Sequence, residues 1–299
     1  GRNYLAGMSG KLGVDRLPFR ASVQVETLSA SGTPLYVADS ANTATSLATG
    51  GITQIGRIAT DIDDKDLPTI AERALQKQFR VGLVTTSSLT DATPASFLAH
   101  VSARSCEGPE EVLGSTYYGI PQPACLNDAR DNGGPGSIIE QLLDSGAQVL
   151  LGGGTKFLKQ TTIDGESVHN MALRRGFQVL DRDTNLDSVA SEKPIIGAFD
   201  EETLEVRWRG TDARVGEPAE TSWLHHLSDY LGDVEEPEPM HCETNPDYEG
   251  TPSLASMTRL ALRHLSAHNE RGFFLMIESA SIDKHLKRLL GELSTYHYH

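Results

Sequence analysis

Residues 67–88 read LPTIAERALQKQFRVGLVTTSS, and this stretch decides the fold class. Its first part, LPTIAERALQKQ, has the pattern of a helix. RVGLVTTSS, at 80–88, is a short apolar run with β-branched residues that ends in small polar ones, as a buried strand does. The pairing recurs twice. GSIIEQLLDSG (136–146), with a glycine at its end, leads into AQVLLGGG (147–154), and TPSLASMTRLALRHLSAHNERG (251–272) leads into GFFLMIESAS (272–281). In the last helix Leu254, Met257, Ala261 and Leu265 recur at helical spacing, and Thr251 and Pro252 read as a cap with proline in the first turn. Helix followed by short apolar strand, three times over, predicts an α/β fold with a largely parallel central sheet flanked by helices.

At 299 residues the chain can bury a sizeable core. It is read as a single domain, 1–299, with a more polar elaboration at about 156–245 that holds a hairpin-like GAFDEETLEVRWRG (197–210) and an acidic GDVEEPEPM (232–240). The formal net charge of −15, from 41 acidic and 26 basic residues, repels nucleic acid and anionic membranes. No apolar run approaches the roughly 18 residues of a membrane span. An anionic substrate therefore needs a local cationic site. No signal-peptide pattern is read at the start, which fits a cytosolic or a processed protein. Of the three cysteines, Cys106 and Cys125 bracket an irregular loop, EGPEEVLGSTYYGIPQPA. A bridge there is worth about 3 kcal/mol in the chain-entropy model, and two unrelated thiols are the alternative. Cys242 has no evident partner.

Ligands of open α/β sheets collect beyond the carboxyl ends of the strands. After the first strand come Asp91, which on its own reads as an N-cap, Thr93, and Pro94 in a helical first turn. His100 and Arg104 follow on the same expected helix, and Arg104 is either a surface ion-pair residue or a planar fork for an oxyanion. After the third strand come Glu278 and Asp283. A carboxylate directly after FFLMI is costly to bury unless it is paired or bound to metal. Carboxylates with a Thr hydroxyl are hard oxygen donors that suit magnesium, whereas zinc is expected to add histidine. Near the start, YVADSANTATSLATG (36–50) sets Asp39 and Ser40 before a run of small residues. That reads as a helix start, as an exposed nucleophile with room for a substrate, or as both, with the positive end of the helix facing an anion.

The segments VADSANTATSLATG, TDATPASFLAHVSARSC and GFFLMIESASIDK resemble, in order and separation, signature segments of bacterial alkaline phosphatases. GGPGSIIEQLLDSGAQVLLGGGTKF is similar to the corresponding family segment, and the resemblance runs from about Arg2 to Lys284. It implies metal-dependent hydrolysis of phosphate monoesters through a phosphoserine intermediate, with Zn2+ and Mg2+ as cofactors, phosphate monoesters and inorganic phosphate as ligands, and a homodimer. Ser40 would be the nucleophile, activated by a zinc ion on its oxygen. Asp39 would orient Arg104, which would clamp two phosphate oxygens. Thr93 and Glu278 would bind magnesium, with Asp91 in its outer shell through water. Asp283 would be a zinc ligand, and Lys284 would reach phosphate through water. The resemblance also implies a disulfide between Cys106 and Cys125, hence a periplasmic or secreted location.

The sequence also departs from the family pattern. The family's bridging aspartate, after an N-terminal strand, has no counterpart. Position 287 is lysine where a histidine ligand is expected, and His285 stands two residues after Asp283 rather than four. The later aspartate–histidine pair and final zinc histidine are missing, as is the region of a partner for Cys242. His297 and His299, in STYHYH, read as a terminus rather than as ligands. These departures imply an incomplete alkaline phosphatase. They also define the alternatives: a non-catalytic phosphate- or metal-binding remnant of the scaffold, or a related phosphodiesterase or sulfatase.

Overall fold

The computed structural model describes residues 17–19, 21–117, 120–189, 192–210, 227, 230–231, 242–246 and 248–281. Asp283, Lys284, His285, Lys287, His297 and His299 lie outside the described residues.

Five strands form one sheet: β1 (Arg80–Ser88), β2 (Val149–Gly153), β3 (Gln178–Leu180), β4 (Ile195–Ala198) and β5 (Phe273–Glu278). Their spatial order is β5, β1, β2, β4, β3, and every pairing is parallel. Side chains of a strand alternate between faces, and both faces here are covered. Val81 and Leu83 of β1, Leu150 of β2 and Ile196 of β4 join one buried cluster, while Val84, Val149, Leu151 and Ile195 join the other.

The first cluster takes in residues of α1 (Ser40–Thr49), α2 (Ile70–Gln76), α3 (Ala92–Ala95), α4 (Ile138–Asp144) and α5 (Val168–Arg174). The second is covered by α6 (Leu254–Ser266), through Met257, Leu260, Ala261 and Leu265. Gly82 allows that close approach, because a Cβ on it would lie 2.9 Å from Leu265 Cδ1. Gly153, at the end of β2, is more constrained: a Cβ there would fall 1.8 Å from the Glu202 carbonyl oxygen, so the chain after β4 packs directly over the strand ends.

α2 and α4 each begin on a cap that the sequence reading did not single out. Thr69 accepts from Glu72 N–H while the Glu72 carboxylate accepts from Thr69 N–H, and Ser137 and Glu140 form the same box. Three expectations are corrected. The cap of α6 is Ser253, whose hydroxyl oxygen accepts from Ser256 N–H, and not Thr251, whose carbonyl accepts from the Tyr248 hydroxyl. The hairpin at 197–210 does not form: its first residues belong to β4, and Trp208–Gly210 pairs with Cys242–Thr244 in a separate antiparallel ladder. The stretch read as an elaboration thus supplies β3 and β4, which are too short to stand out as apolar runs.

The third correction concerns Arg104. The helix after Asp91 ends at Ala95, so His100 and Arg104 do not share a helical face. Backbone donors find partners elsewhere: His100 N–H on the Gln141 side chain (2.9 Å), Val101 N–H on Ile58 O (3.1 Å) and Arg104 N–H on Gly56 O (2.7 Å). Ser102 donates to the buried Asp128 carboxylate from both its amide and its hydroxyl. A disulfide then ties Cys106 to Cys125 across a separation of 19 residues, which is worth about 3 kcal/mol in the chain-entropy model. Arg104 rides on this pinned loop. No helix among the described residues is long and apolar enough to cross a membrane.

His100 itself locks this loop to α2, with Nδ1 on Ala59 O and Nε2 on Glu72 Oε1, each at 2.9 Å. Burial disfavours the charged imidazole, but the Glu72 carboxylate and the Ala59 carbonyl outweigh it and raise the pKa above its ordinary 6.5. Burial likewise opposes ionisation of Glu72, yet the bonds from His100 and Thr69 lower its pKa below 4.5. A raised histidine pKa stabilises fully below the unfolded value and ceases to as pH rises through the folded one; a lowered carboxylate pKa stabilises above the unfolded value and ceases to as pH falls through the folded one. The pair is therefore strongest between about pH 4.5 and 6.5. Urea denaturation across pH should show His100→Gln costing about 1 kcal/mol near pH 6 and progressively less at alkaline pH. A deficit that grows with pH would contradict this reading.

Candidate functional site

The amino ends of α1 and α3 meet at Arg104, beside the carboxyl end of β1, and β5 ends next to β1. Asp39 is the N-cap of α1: its Oδ1 accepts from Asn42 N–H at 3.0 Å, and Asn42 Oδ1 accepts from Asp39 N–H at 2.8 Å. Ser40 is thereby the first helical residue, beside the positive end of the helix. The small residues behind it let α1 lie close to α3, with Ala41, Ala44, Ala48, Ala92 and Ala95 all buried. Among them, the Thr45 hydroxyl donates to Arg57 O and accepts from Ala59 N–H. Gly50, with φ at +78°, ends the helix.

Arg104 gathers the site. Its Nη1 donates to Ser40 Oγ at 2.6 Å and to Asp39 Oδ2 at 3.4 Å, and its Nη2 donates to Asp91 Oδ1 at 2.7 Å. The side chains are largely shielded, Arg104 and Asp39 at 14% exposure and Asp91 at 18%. Asp91 caps the short α3, accepting from Ala92 N–H at 2.8 Å, and its Oδ2 accepts from the Ser87 hydroxyl at 2.6 Å. Glu278 is the last residue of β5, in register with Thr85, whose hydroxyl donates to Glu278 Oε2 at 2.6 Å. Thr93 is half-buried on α3.

So Asp39, Ser40 and Asp91 are each brought onto Arg104, and Glu278 ends the strand beside β1. Asp283 and Lys284 lie outside the described residues. Sequence reasoning missed Thr85 and Ser87, for which the only signal was the polar TTSS that ends an apolar strand. It also missed Glu107, which accepts from the Thr90 hydroxyl. Burial pushes the Glu107 carboxyl up to about 7, against that hydrogen bond, and the charge of Asp91 pushes in the same direction.

The Arg104 guanidinium is flanked by the carboxylates of Asp39 and Asp91, and Glu278 adds a third carboxylate at the end of the adjacent strand, in a chain that is itself at −15. A phosphate dianion placed on Ser40 and Arg104 needs further cations nearby. The donor set of Asp91, Thr93 and Glu278 consists of hard oxygens, whose chemistry fits magnesium. Among the described residues there is no group of three or more His, Cys, Asp or Glu disposed to hold a metal, and Asp283 lies outside them.

A serine hydroxyl at a helix amino end, held by an arginine near the carboxyl edge of a parallel sheet, is an arrangement whose chemistry suits an oxyanion in an α/β protein. The chain belongs to the alkaline phosphatase family, whose profile matches residues 2–294. It is 38% identical over 293 residues to the alkaline phosphatase of Escherichia coli K12, covering 95% of this chain and 57% of that protein. It is 38% identical over 295 residues to streptomycin-6-phosphate phosphatase of Streptomyces griseus, covering 94% of this chain and 59% of that one. The solved structure of a cold-active alkaline phosphatase from Shewanella sp. matches with a TM-score of 0.55 and 25% identity, over 83% of this chain and 44% of that one. The chain thus spans a little over half the length of the curated relatives it matches. The family is metal-dependent.

Asp39 has two roles that substitution separates, since asparagine caps helices as well as aspartate does. In denaturant titrations Asp39→Ala should cost about 1 kcal/mol, and Asp39→Asn only a few tenths. Equal losses in the two variants would assign the stabilisation to the charge on Arg104 rather than to the cap.

Proposed function

We propose that the protein is an alkaline phosphatase that hydrolyses phosphate monoesters through a phosphoserine intermediate at Ser40. The observation that carries this reading is the 2.6 Å contact of Arg104 Nη1 with Ser40 Oγ at the amino end of α1. An ester phosphate set against Oγ has its non-bridging oxygens within reach of the guanidinium, whose planar fork matches two of them. Ser40 Oγ attacks phosphorus as its hydroxyl proton passes to solvent, the P–O bond to the leaving group breaks, and the departing alkoxide takes a proton from water. Water then attacks the phosphoserine, releasing inorganic phosphate and restoring the hydroxyl. Arg104 neutralises charge on the transferring group in both steps, and Asp39 and Asp91 keep it from swinging away.

Magnesium is the group that Thr93 and Glu278 would hold, with Asp91 in the outer shell; when bound it supplies positive charge that offsets the carboxylates and the developing phosphoryl charge. Zinc, with Ser40 and Asp283 as the ligands suggested by the resemblance, belongs to the same reading. Lys284 is assigned to phosphate through water. The disulfide supports an oxidising, periplasmic or secreted location. A homodimer of single-domain subunits belongs to the same reading.

The second reading, a non-catalytic phosphate- or metal-binding remnant, is favoured by the lack of a three-residue His, Cys, Asp or Glu cluster among the described residues. Hydrolysis of a chromogenic phosphate ester with added zinc and magnesium separates the two. The wild-type chain should turn over, Ser40→Ala should be inactive, and Arg104→Ala should lose about 10²–10³-fold in kcat/KM. No turnover by folded, metal-replete protein favours the remnant. Turnover that survives Ser40→Ala overturns the assigned nucleophile.

A further inference from the structure

The carboxyl end of β1 does more than close the sheet. Thr85 and Ser87, two residues apart, are both fully buried and both spend their hydroxyl protons on site carboxylates. Thr85 Oγ1 accepts from Ser87 N–H at 3.0 Å and donates to Glu278 Oε2 at 2.6 Å. Ser87 Oγ donates to Asp91 Oδ2 at 2.6 Å, and Asp91 Oδ1 takes Arg104 Nη2 at 2.7 Å. Arg104 Nη1 completes the chain on Ser40 Oγ. An unbroken run of hydrogen bonds therefore links Glu278, Thr85, Ser87, Asp91, Arg104 and Ser40.

Two features make this more than satisfaction of buried polar groups. The carboxylates come from separate segments, the end of β5 and the start of α3, and one strand fixes both. The strand is irregular between Val84 and Ser88, where the Ser87 amide bonds to Thr85 Oγ1, and this local turn of the backbone sets the two hydroxyls relative to each other. Each bond also fixes an orientation: one oxygen of each carboxylate is committed to a hydroxyl, and the second Asp91 oxygen takes the Ala92 amide and Arg104 Nη2. Outer hydrogen bonds of this kind orient metal ligands, and their loss commonly lowers metal affinity roughly 10–100-fold.

We propose that Thr85 and Ser87 are positioning residues that hold Glu278 and Asp91 for a divalent cation and couple that cation to the Arg104 clamp. This rests on the magnesium assignment made under the proposed function. Thr85 and Ser87 act through the carboxylates and do not touch substrate.

The test is magnesium titration of the purified chain by calorimetry, together with the magnesium-dependent rise in melting temperature. Thr85→Val removes the hydroxyl at nearly constant shape, Ser87→Ala removes it at smaller volume, and Thr85→Ser restores it. Both deletions should weaken magnesium binding by roughly 10–100-fold and lessen the melting-temperature rise, while Thr85→Ser should bind close to wild type. Ester hydrolysis by the deletion variants should recover as magnesium is raised. Unchanged magnesium affinity in both deletion variants, beside a wild-type chain that binds magnesium and turns over, overturns the positioning role and leaves the phosphatase reading standing. A wild-type chain that is folded, binds no magnesium and hydrolyses no ester overturns both. Thr85→Ser as weak as Thr85→Val would assign the loss to packing and also overturns the inference.

Discussion

The site depends on one shared guanidinium. Arg104 is held by Asp39 on one side and Asp91 on the other, and it reaches Ser40 Oγ only because both carboxylates are themselves fixed. Asp39 is fixed as the cap of α1, and Asp91 as the cap of α3 and the acceptor of Ser87. Three elements therefore converge on one side chain. The loop that carries it is correspondingly overbuilt, with a bridge from Val101 to Ile58, a bond from Arg104 N–H to Gly56 O, and a disulfide two residues later. A flexible arginine on a surface loop would lose much of its worth to side-chain entropy; one braced from both ends is already oriented for an oxyanion.

The same bracing creates a charge problem. Carboxylates that orient Arg104 also cancel it, and Glu278 adds to the excess. An anionic ligand in such a place depends on added cations, which links the acidic composition to metal chemistry rather than setting the two at odds. The elements that build the site carry its carboxylates on hydroxyl or amide donors.

The fold was legible where the chain repeats a helix and a long apolar strand. Arg80–Ser88 lies where the sequence put it, and Val149–Gly153 and Phe273–Glu278 each fall within the run that announced them. Gln178–Leu180 and Ile195–Ala198 were not, because three or four residues inside a polar stretch carry too little pattern to separate a strand from a loop. The helical reading of the stretch up to Arg104 failed for another reason. Its amides are claimed by Gln141, Ile58 and Gly56, partners that only tertiary structure brings near. Residue types that carry chemistry, such as Asp39, Ser40, Asp91 and Arg104, could be singled out by chain position and resemblance. Thr85 and Ser87 could not, since a hydroxyl in a strand says nothing of which carboxylate it will meet.

The central claim is that Ser40 receives the phosphoryl group under Arg104. Peptide mass spectrometry of the metal-replete chain, quenched in acid during turnover of a phosphate ester, tests it most directly. The account predicts a phosphorylated peptide with the modification on Ser40, absent from Arg104→Ala quenched under the same conditions or much reduced there. Steady turnover with Ser40 unmodified, or a phosphoryl group found on another residue, would contradict it.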